Sequence, residues 1–319
     1  MELPELKIAN FTAKVPIIQG GMAIRISTGA LAGAVAAAGG IGVIGASGLT
    51  FDELASEIRI ARSKAKGGII GINIMFAARE FWGIVKTAIK EKIDLVFVGA
   101  GFSRDIFKVG QENNTPIVPI VSSARLAKTS EKLGAAAIVV EGTEAGGHLG
   151  TDRTIREILP EVRKATSLPV VAAGGITTGS DIVDMFKLGA NGVQIATRFV
   201  LSDECNAALP YKKRYQTATK DDVVKISSPV GLPGRAIKTA FVEKVLDKKA
   251  PKPVGCDFCL KNCSLEYCII QALLNSQKGD IDNGIVFSGA NVWKIKDRSI
   301  KPAAEIIKEL VKEAGEVSA

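Results

Sequence analysis

The sequence has little histidine and no run of basic residues that would mark a nucleic-acid-binding arm. It has one histidine, His148, and five cysteines in 319 residues. Basic residues outnumber acidic ones, for a formal net charge of +8, but they are scattered and form no run. The missing run argues against a nucleic-acid partner. The positive charge is explained by a merely basic surface, or by attraction to acidic substrates or to an acidic carrier protein.

We see no pattern of a secretory leader in the first ten residues and expect no membrane span. The first ten residues are charged and interrupted, unlike a signal peptide. Residues 26–51 carry no charge, but seven glycines interrupt them between Gly29 and Gly48. We interpret them as a buried helix, a turn at Gly39-Gly40 and a buried strand rather than as a membrane helix. We therefore expect a cytoplasmic protein without a membrane partner.

Eight short apolar runs are the main repeating feature. Most are apolar throughout, as strands covered on both faces are. Amphipathic helical patterns alternate with them at 51–66, 124–133, 155–166 and 180–188, the last beginning at the cap residue Ser180. Eight strand–helix units predict an α/β fold, a (β/α)8 TIM barrel, with an open doubly wound sheet as the alternative. The predicted strands are Val15–Gln19, Ile41–Gly45, Ile69–Ile74, Leu95–Val98, Pro116–Val121, Ala136–Val140, Pro169–Ala173 and Gly192–Ala196.

The repeating pattern is lost after residue 202. Residues 1–202 are predicted to form the barrel, and residues 203–287 a small insertion or lid between the eighth strand and the last helix. Residues 288–319 would return to the barrel. The last helix is predicted at Pro302–Glu316, because its apolar residues fall on one face.

The histidine follows the sixth predicted strand, where barrel enzymes have their active sites. Its loop runs from Glu141 to Gly150 and contains four glycines, which let a flat ligand approach the backbone closely. An unperturbed histidine titrates at about pH 6.5, so His148 could act as an acid or a base near neutral pH. The alternative is a connecting loop whose histidine is merely exposed.

Two neighbouring loops predict an anion site. Gly174-Gly175 ends the seventh strand, just before a helix, and the eighth strand leads into Thr197. Backbone N–H groups in such turns bind anions, and barrels often bind phosphate after strands seven and eight. The ligand would be a phosphorylated cofactor or substrate.

Five motifs together carry a family resemblance over roughly residues 1–215. The sequence resembles the FMN-dependent nitronate monooxygenase (2-nitropropane dioxygenase) family, and equally its close relative, the flavin enoyl-ACP reductase II. The order of the motifs makes the resemblance specific. They are Pro16–Met22, Gly71–Met75, Glu141–Gly150, Ala172–Ile176 and Gln194–Phe199.

The resemblance implies that the barrel binds FMN non-covalently at its mouth. Gly20, Gly21 and Met22 would then lie along the flavin, and Asn73 would bond to the ring or the ribityl chain. The residues implied to hold the phosphate are Gly174, Gly175, Ala196 and Thr197. Further cofactor contacts are assigned to Ser122 and Glu141 on the ribityl side, and to Gly147 and Gln194.

The same resemblance leaves two reactions open. In the monooxygenase type, a nitronate gives electrons to FMN and O₂ reoxidises it, while His148 accepts a proton from a nitroalkane or holds the nitronate. In the reductase type, NAD(P)H reduces FMN and hydride passes to an enoyl thioester, which an acyl carrier protein would present. A non-catalytic flavin-binding module is a third possibility.

The monooxygenase type is preferred because the region after Val254 departs from the reductase pattern. The motif Gln19–Met22 is closer to the reductases and argues the other way. The expected partners are a small-molecule substrate, an acyl carrier protein for the reductase type, and a second copy of the chain in a homodimer.

Four of the five cysteines are clustered with the spacing C-x₂-C-x₃-C-x₄-C. Such clusters in cytosolic proteins more often bind metal or act in catalysis than form disulfides, and thiolates suit zinc or an iron–sulfur cluster. The spacing matches neither a zinc ribbon nor a common ferredoxin run. The alternative is a set of thiols packed in a loop near the substrate opening. The cluster consists of Cys256, Cys259, Cys263 and Cys268, and Cys205 stands apart.

Overall fold

The computed structural model describes residues 3–317, and most of its strands form one closed barrel. β3 to β8, β10 and β11 are parallel neighbours in that order, and β11 pairs with β3 to close the barrel. The (β/α)8 prediction is confirmed, and the doubly wound alternative is wrong because an open sheet lacks this closing pair. The strands are β1 (Leu6–Ile8), β2 (Phe11–Ala13), β3 (Ile17–Gln19), β4 (Ile41–Gly45), β5 (Ile69–Met75), β6 (Leu95–Gly99), β7 (Ile117–Val121), β8 (Ile138–Glu141), β9 (Gly147–His148), β10 (Val170–Ala173), β11 (Gly192–Ile195), β12 (Val223–Ile226), β13 (Gly234–Ile237) and β14 (Val286–Phe287).

The barrel strands are buried on both faces, which explains why they are apolar throughout. One face fills the barrel interior with side chains such as Ile18, Phe97 and Val139, and the other packs against the surrounding helices. The hairpin of β1 and β2, which the sequence patterns did not predict, adds Leu6 and Ile8 to the interior cluster. The interior is therefore a packed core, and a ligand cavity opens above it at the strand ends.

The helices follow the barrel strands in alternation, and the last one packs against the first and the seventh. The helix near residue 180 begins at Gly179, and its cap is Thr178 in a capping box with Asp181, not the predicted Ser180. The helices are α1 (Gly29–Ala37), α2 (Phe51–Lys64), α3 (Phe81–Lys90), α4 (Asp105–Glu112), α5 (Ala124–Lys132), α6 (Ile155–Ala165), α7 (Gly179–Lys187), α8 (Leu209–Thr217), α9 (Ala240–Leu246), α10 (Ile269–Lys278) and α11 (Ala303–Val317).

The uncharged residues 26–51 form α1, a turn and β4, as the glycine pattern predicts. The turn residue Gly39 has a φ of +91°, a conformation that favours glycine. Within the described residues, no helix combines the length and the apolar character that crossing a bilayer requires.

Residues 203–287 contain α8 to α10 and a small antiparallel sheet. β13 pairs with β12, β14 and β9, and β9 belongs to the loop that carries the histidine. A separate apolar cluster forms here around Val242, Tyr267 and Ile285. This sheet joins the loop after β8 to a segment far along the chain, so it fixes one side of the barrel mouth.

Candidate active site

A cavity of ≈ 220 Å³ opens at the carboxyl-terminal ends of the barrel strands. Among the predicted site residues of the barrel, Ser122 is placed outside it, where its hydroxyl donates to the carbonyl of Gly150 over 3.2 Å. The structure brings the others together around one space. Those residues are Gly20, Gly21, Met22, Asn73, Glu141, Gly147, His148, Gly174, Gly175, Gln194, Ala196 and Thr197.

Gly20 and Gly21 form the part of the wall that follows β3. A side chain at Gly21 would place its Cβ 2.4 Å from the Cβ of Asn73, so only glycine lets these two strand ends approach so closely. Asn73 lines the cavity with an amide that has no hydrogen-bond partner within residues 3–317. A flat ring can lie along this uncharged wall and exchange hydrogen bonds with the amide.

Free backbone donors collect at the ends of β10 and β11. Five residues that line the cavity here have a backbone N–H that donates to no group in the described part of the chain, and they are Gly174, Gly175, Ile176, Ala196 and Thr197. Gly174 and Gly175 have φ values of +102° and +74°, and Asn291 fixes the turn by donating to the Gly175 carbonyl over 2.7 Å. Converging amide dipoles attract anions, so this end of the cavity suits a phosphate.

The side chains around the cavity bring almost no charge to it. Within residues 3–317, its lining contains no lysine, arginine or aspartate, and Glu141 is its one acidic residue. Burial raises the pKa of Glu141 to about 8, so the carboxyl is mainly protonated at neutral pH. A bound anion therefore depends on backbone dipoles rather than on a cationic side chain.

His148 lies in β9, opposite Gly234 of β13. Its Nε2 is 2.8 Å from the Ser228 hydroxyl oxygen, and its ring meets the Phe287 ring edge-on with 5.2 Å between centroids. Burial lowers the pKa of His148 to about 4. The sequence suggested a group that could be charged or neutral near pH 7, but desolvation favours the neutral imidazole.

Arg235 holds the histidine loop against β13. Its Nε donates to the Ala145 carbonyl over 3.2 Å and its Nη2 to the Thr143 carbonyl over 2.6 Å. Burial lowers the pKa of this guanidinium. These bonds satisfy carbonyls that the glycine-rich loop could not pair by itself.

Part of the cavity wall comes from residues that sequence reasoning missed. Tyr211 and Tyr215 both belong to α8, and their rings stack on each other with 5.7 Å between centroids. Both hydroxyls donate to the Phe287 carbonyl. Leu273 and Ser288 also line the cavity. The i, i+4 spacing of the two tyrosines could have indicated a shared helix face, but nothing local indicates that this face meets the barrel mouth.

The cysteine-rich segment packs beside the mouth without lining the cavity. Leu260 forms an isolated antiparallel β-bridge with Ala78, and the Cys259 carbonyl accepts the Arg79 N–H over 3.0 Å. Cys256 and Cys263 are exposed. Within residues 3–317, no three or more histidine, cysteine or acidic side chains are grouped so that they could hold a metal ion. The predicted zinc or iron–sulfur site is therefore not supported, because the four thiols are not arranged as a set of metal ligands.

Thiol labelling should separate the cysteines into two classes. We expect iodoacetamide to modify Cys256 and Cys263 quickly in the native protein and Cys205 only after unfolding. Cys205 is 4% exposed, and burial raises its pKa to about 11, which alone lowers its thiolate fraction about a hundredfold. Peptide mass spectrometry measures the order, with urea-unfolded protein as the control. If Cys256 and Cys263 instead resisted iodoacetamide and a chelator made them reactive, the predicted metal site would be supported.

Comparison with known proteins agrees with this geometry. A family model described as nitronate monooxygenase matches residues 5–90 and 61–313. A probable nitronate monooxygenase from Staphylococcus saprophyticus is 27% identical over 364 aligned positions, which cover 99% of each chain. The structure of FabK from Thermotoga maritima superposes with a TM-score of 0.86 and 33% identity, over 95% of this chain and 94% of that one.

A further relative shows how far the similarity extends. The (3aS,4S,5R,7aS)-5-hydroxy-7a-methyl-1-oxo-octahydro-1H-indene-4-carboxyl-CoA dehydrogenase of Mycobacterium tuberculosis is 31% identical over 233 residues, or 72% of this chain. The match spans 65% of that relative, a little under two thirds of its length. Since the family model covers most of the chain, the protein belongs to the nitronate monooxygenase family of flavin-dependent oxidoreductases.

Proposed function

We propose that this protein is an FMN-dependent oxidoreductase of the nitronate monooxygenase type, which oxidises alkyl nitronates with O₂ as the electron acceptor. The observation that supports this proposal most directly is that one cavity contains both a set of unpaired backbone N–H groups and a neutral imidazole. When bound, FMN supplies the redox chemistry that no side chain of this cavity offers.

The residues present fit FMN. The free N–H groups of Gly174, Gly175, Ile176, Ala196 and Thr197 suit its terminal phosphate, because several backbone donors can bind an anion without a cationic side chain. Gly20 and Gly21 line the cavity without side chains of their own, beside the unpaired amide of Asn73, so a flat ring can lie against them. The protonated carboxyl of Glu141 can donate a hydrogen bond to the ligand without repelling the phosphate.

His148 is suited to remove a proton from a neutral nitroalkane. Its imidazole is uncharged at pH 7, so a nitrogen lone pair is available, and the negative charge of the nitronate that forms beside it offsets the burial that disfavours the imidazolium. The carbon–hydrogen bond breaks, the proton moves to the imidazole, and the electron pair spreads onto the nitro group, which yields the nitronate. The uncharged cavity favours this role over holding a preformed anion with a charged imidazole.

Reduction of an enoyl thioester is a second candidate. It is supported by the 33% identity to FabK, an enoyl-ACP reductase II, and by the relative named as acting on a carboxyl-CoA. This reaction needs NAD(P)H as reductant and an acyl carrier protein or coenzyme A to present the acyl chain. The carrier protein and the homodimer stay predictions.

Stopped-flow reduction of the purified flavoprotein separates the two candidates. We expect an alkyl nitronate to bleach the flavin absorbance in a single turnover without oxygen, and O₂ to restore it. A parallel experiment mixes the flavoprotein with NADPH and then with a crotonyl thioester. Flavin reduction by NADPH followed by reoxidation by the thioester, with no response to nitronate, would establish the reductase function instead.

A further inference from the structure

The two ring nitrogens of His148 have different surroundings. Nε2 lies 2.8 Å from the hydroxyl oxygen of Ser228, whereas Nδ1 makes no hydrogen bond to any group in residues 3–317. The ring packs edge-on against Phe287, which restricts its rotation. Nδ1 is therefore the ring atom left for a ligand in the cavity.

Ser228 lies in the connection between β12 and β13, which places its hydroxyl beside His148. Ser227 is exposed, whereas Ser228 is only 6% exposed. Gly231, at a φ of +85°, turns the chain and donates its N–H to the Ser228 carbonyl over 2.9 Å. The Ser228 hydroxyl oxygen also accepts the Val230 N–H over 3.4 Å. This hydroxyl is thus built into the turn and acts there as an acceptor.

The cysteine-bearing segment fixes the same connection from the other side. The Ser264 N–H donates to the Pro229 carbonyl over 3.1 Å, and the Tyr267 hydroxyl donates to the Ser227 carbonyl over 2.8 Å. Tyr267 is 1% exposed and packs edge-on against Phe241. The backbone around Ser228 is therefore held on two sides, so its hydroxyl does not depend on a mobile loop.

Within residues 3–317, no charged partner stabilises a protonated form of His148. The guanidinium of Arg235 is engaged with loop carbonyls, and burial keeps the carboxyl of Glu141 mainly protonated. The Glu144 carboxylate accepts the Ile155 N–H over 3.0 Å. The titratable groups on the elements around the histidine are Arg235 on β13, Glu141 at the end of β8, Glu144 on its own loop, Tyr211 and Tyr215 on α8, and Tyr267 behind Ser228.

We propose that Ser228 is a positioning residue for His148, whose Nε2–H it accepts, so that the lone pair of Nδ1 is left for the substrate. The hydrogen bond at one ring nitrogen decides which nitrogen carries the proton. A hydroxyl sets the tautomer without the negative charge of a carboxylate, so the imidazole stays neutral at rest. This inference rests on the proposed function, since it assigns the basic atom of that reaction.

The sole histidine makes the proposal directly measurable. Protein labelled with ¹⁵N-histidine and loaded with FMN gives ring-nitrogen NMR signals from His148 alone. At pH 7 we expect one protonated nitrogen, Nε2, and one unprotonated nitrogen, Nδ1. In Ser228→Ala the two signals should move toward each other as the tautomers mix. Ser227→Ala, the same change at an exposed neighbouring position, should leave them unchanged.

Kinetics provide the second readout. For Ser228→Ala we expect kcat on a neutral nitroalkane to fall about tenfold, the range of one hydrogen bond, with little change in KM. Turnover of a preformed nitronate should not fall, because it needs no proton removal. A tautomer effect predicts this split, whereas a general loss of structure would slow both substrates.

Two results would overturn the proposal. One is a wild-type His148 that carries its proton on Nδ1, or on both nitrogens, at pH 7. The other is a Ser228→Ala protein whose signals match those of Ser227→Ala. The NMR measurement needs no turnover, so it is separate from the test of the proposed function. If wild-type protein consumes neither nitroalkane nor nitronate but shows the expected signals, the proposed reaction fails and the pairing stands.

Discussion

Replacing His148 with alanine is expected to lower kcat on a neutral nitroalkane about 10²- to 10⁴-fold, the usual contribution of a general base. The buried imidazole is neutral at pH 7 and is the basic group of a cavity whose one carboxyl is protonated. The variant should keep its flavin, because the free N–H groups at the ends of β10 and β11 are untouched. Steady-state kinetics and flavin absorbance measure the two effects.

The preformed nitronate is the matched control for this substitution. It arrives without the proton that His148 would remove, so His148→Ala should oxidise it at close to the wild-type rate. Loss of the bond to Ser228 costs about 1 kcal/mol, so the melting temperature should fall by only a few degrees. An equal loss on nitroalkane and nitronate would show that His148 does not act as the base.

Changing Gly175 to aspartate should abolish FMN retention. Gly175 has a φ of +74°, and its N–H is one of the free donors at the ends of β10 and β11. A carboxylate about 4 Å from the phosphate would repel it by about 4 kcal/mol at an intermediate dielectric constant, which corresponds to roughly a thousandfold weaker binding. Flavin absorbance after desalting, and titration of the flavin-free protein with FMN, measure the loss.

Gly175→Asn isolates the charge from the steric effect. A Cβ here would lie 2.9 Å from the Cβ of Glu144, so both variants crowd the turn equally. Asparagine also tolerates a positive φ better than most residues. Riboflavin, which lacks the phosphate, should bind the two variants alike, whereas FMN should distinguish them. Equal FMN affinity in the two variants would place the phosphate elsewhere.

The barrel could be predicted because its strands have one uniform environment. Runs such as Ile41–Gly45 are apolar throughout since both faces are covered, and this pattern is local. The hairpin of β1 and β2 was missed because three-residue strands give too little pattern to recognise. The helix cap was predicted at Ser180 but lies at Thr178. Serine and threonine are both good N-cap residues, so the residue type does not show which of them begins the helix, and the backbone conformation decides.

The cysteine cluster marks where spacing alone misleads. C-x₂-C-x₃-C-x₄-C brings thiols close along the chain, but how the chain turns between them decides whether they are arranged as metal ligands. Here Leu260 is drawn into a bridge with Ala78 and Tyr267 into the apolar cluster of residues 203–287, while Cys256 and Cys263 face solvent. Burial of the apolar residues between the cysteines decides their direction.

The sequence by itself determined that the chain forms a barrel and at which end of the barrel the ligand site lies. Parallel strands collect their carboxyl ends at one rim, so residues as distant as Gly21 and Gly175 had to meet there once the strands were recognised. The tertiary structure alone decided which groups complete the site and how they titrate. Ser228 reaches His148 across 80 residues through the pairing of β9 with β13, which no local pattern encodes. The opposite pKa shifts of Glu141 and His148 follow from desolvation, which depends on everything packed around a group rather than on its neighbours in the chain.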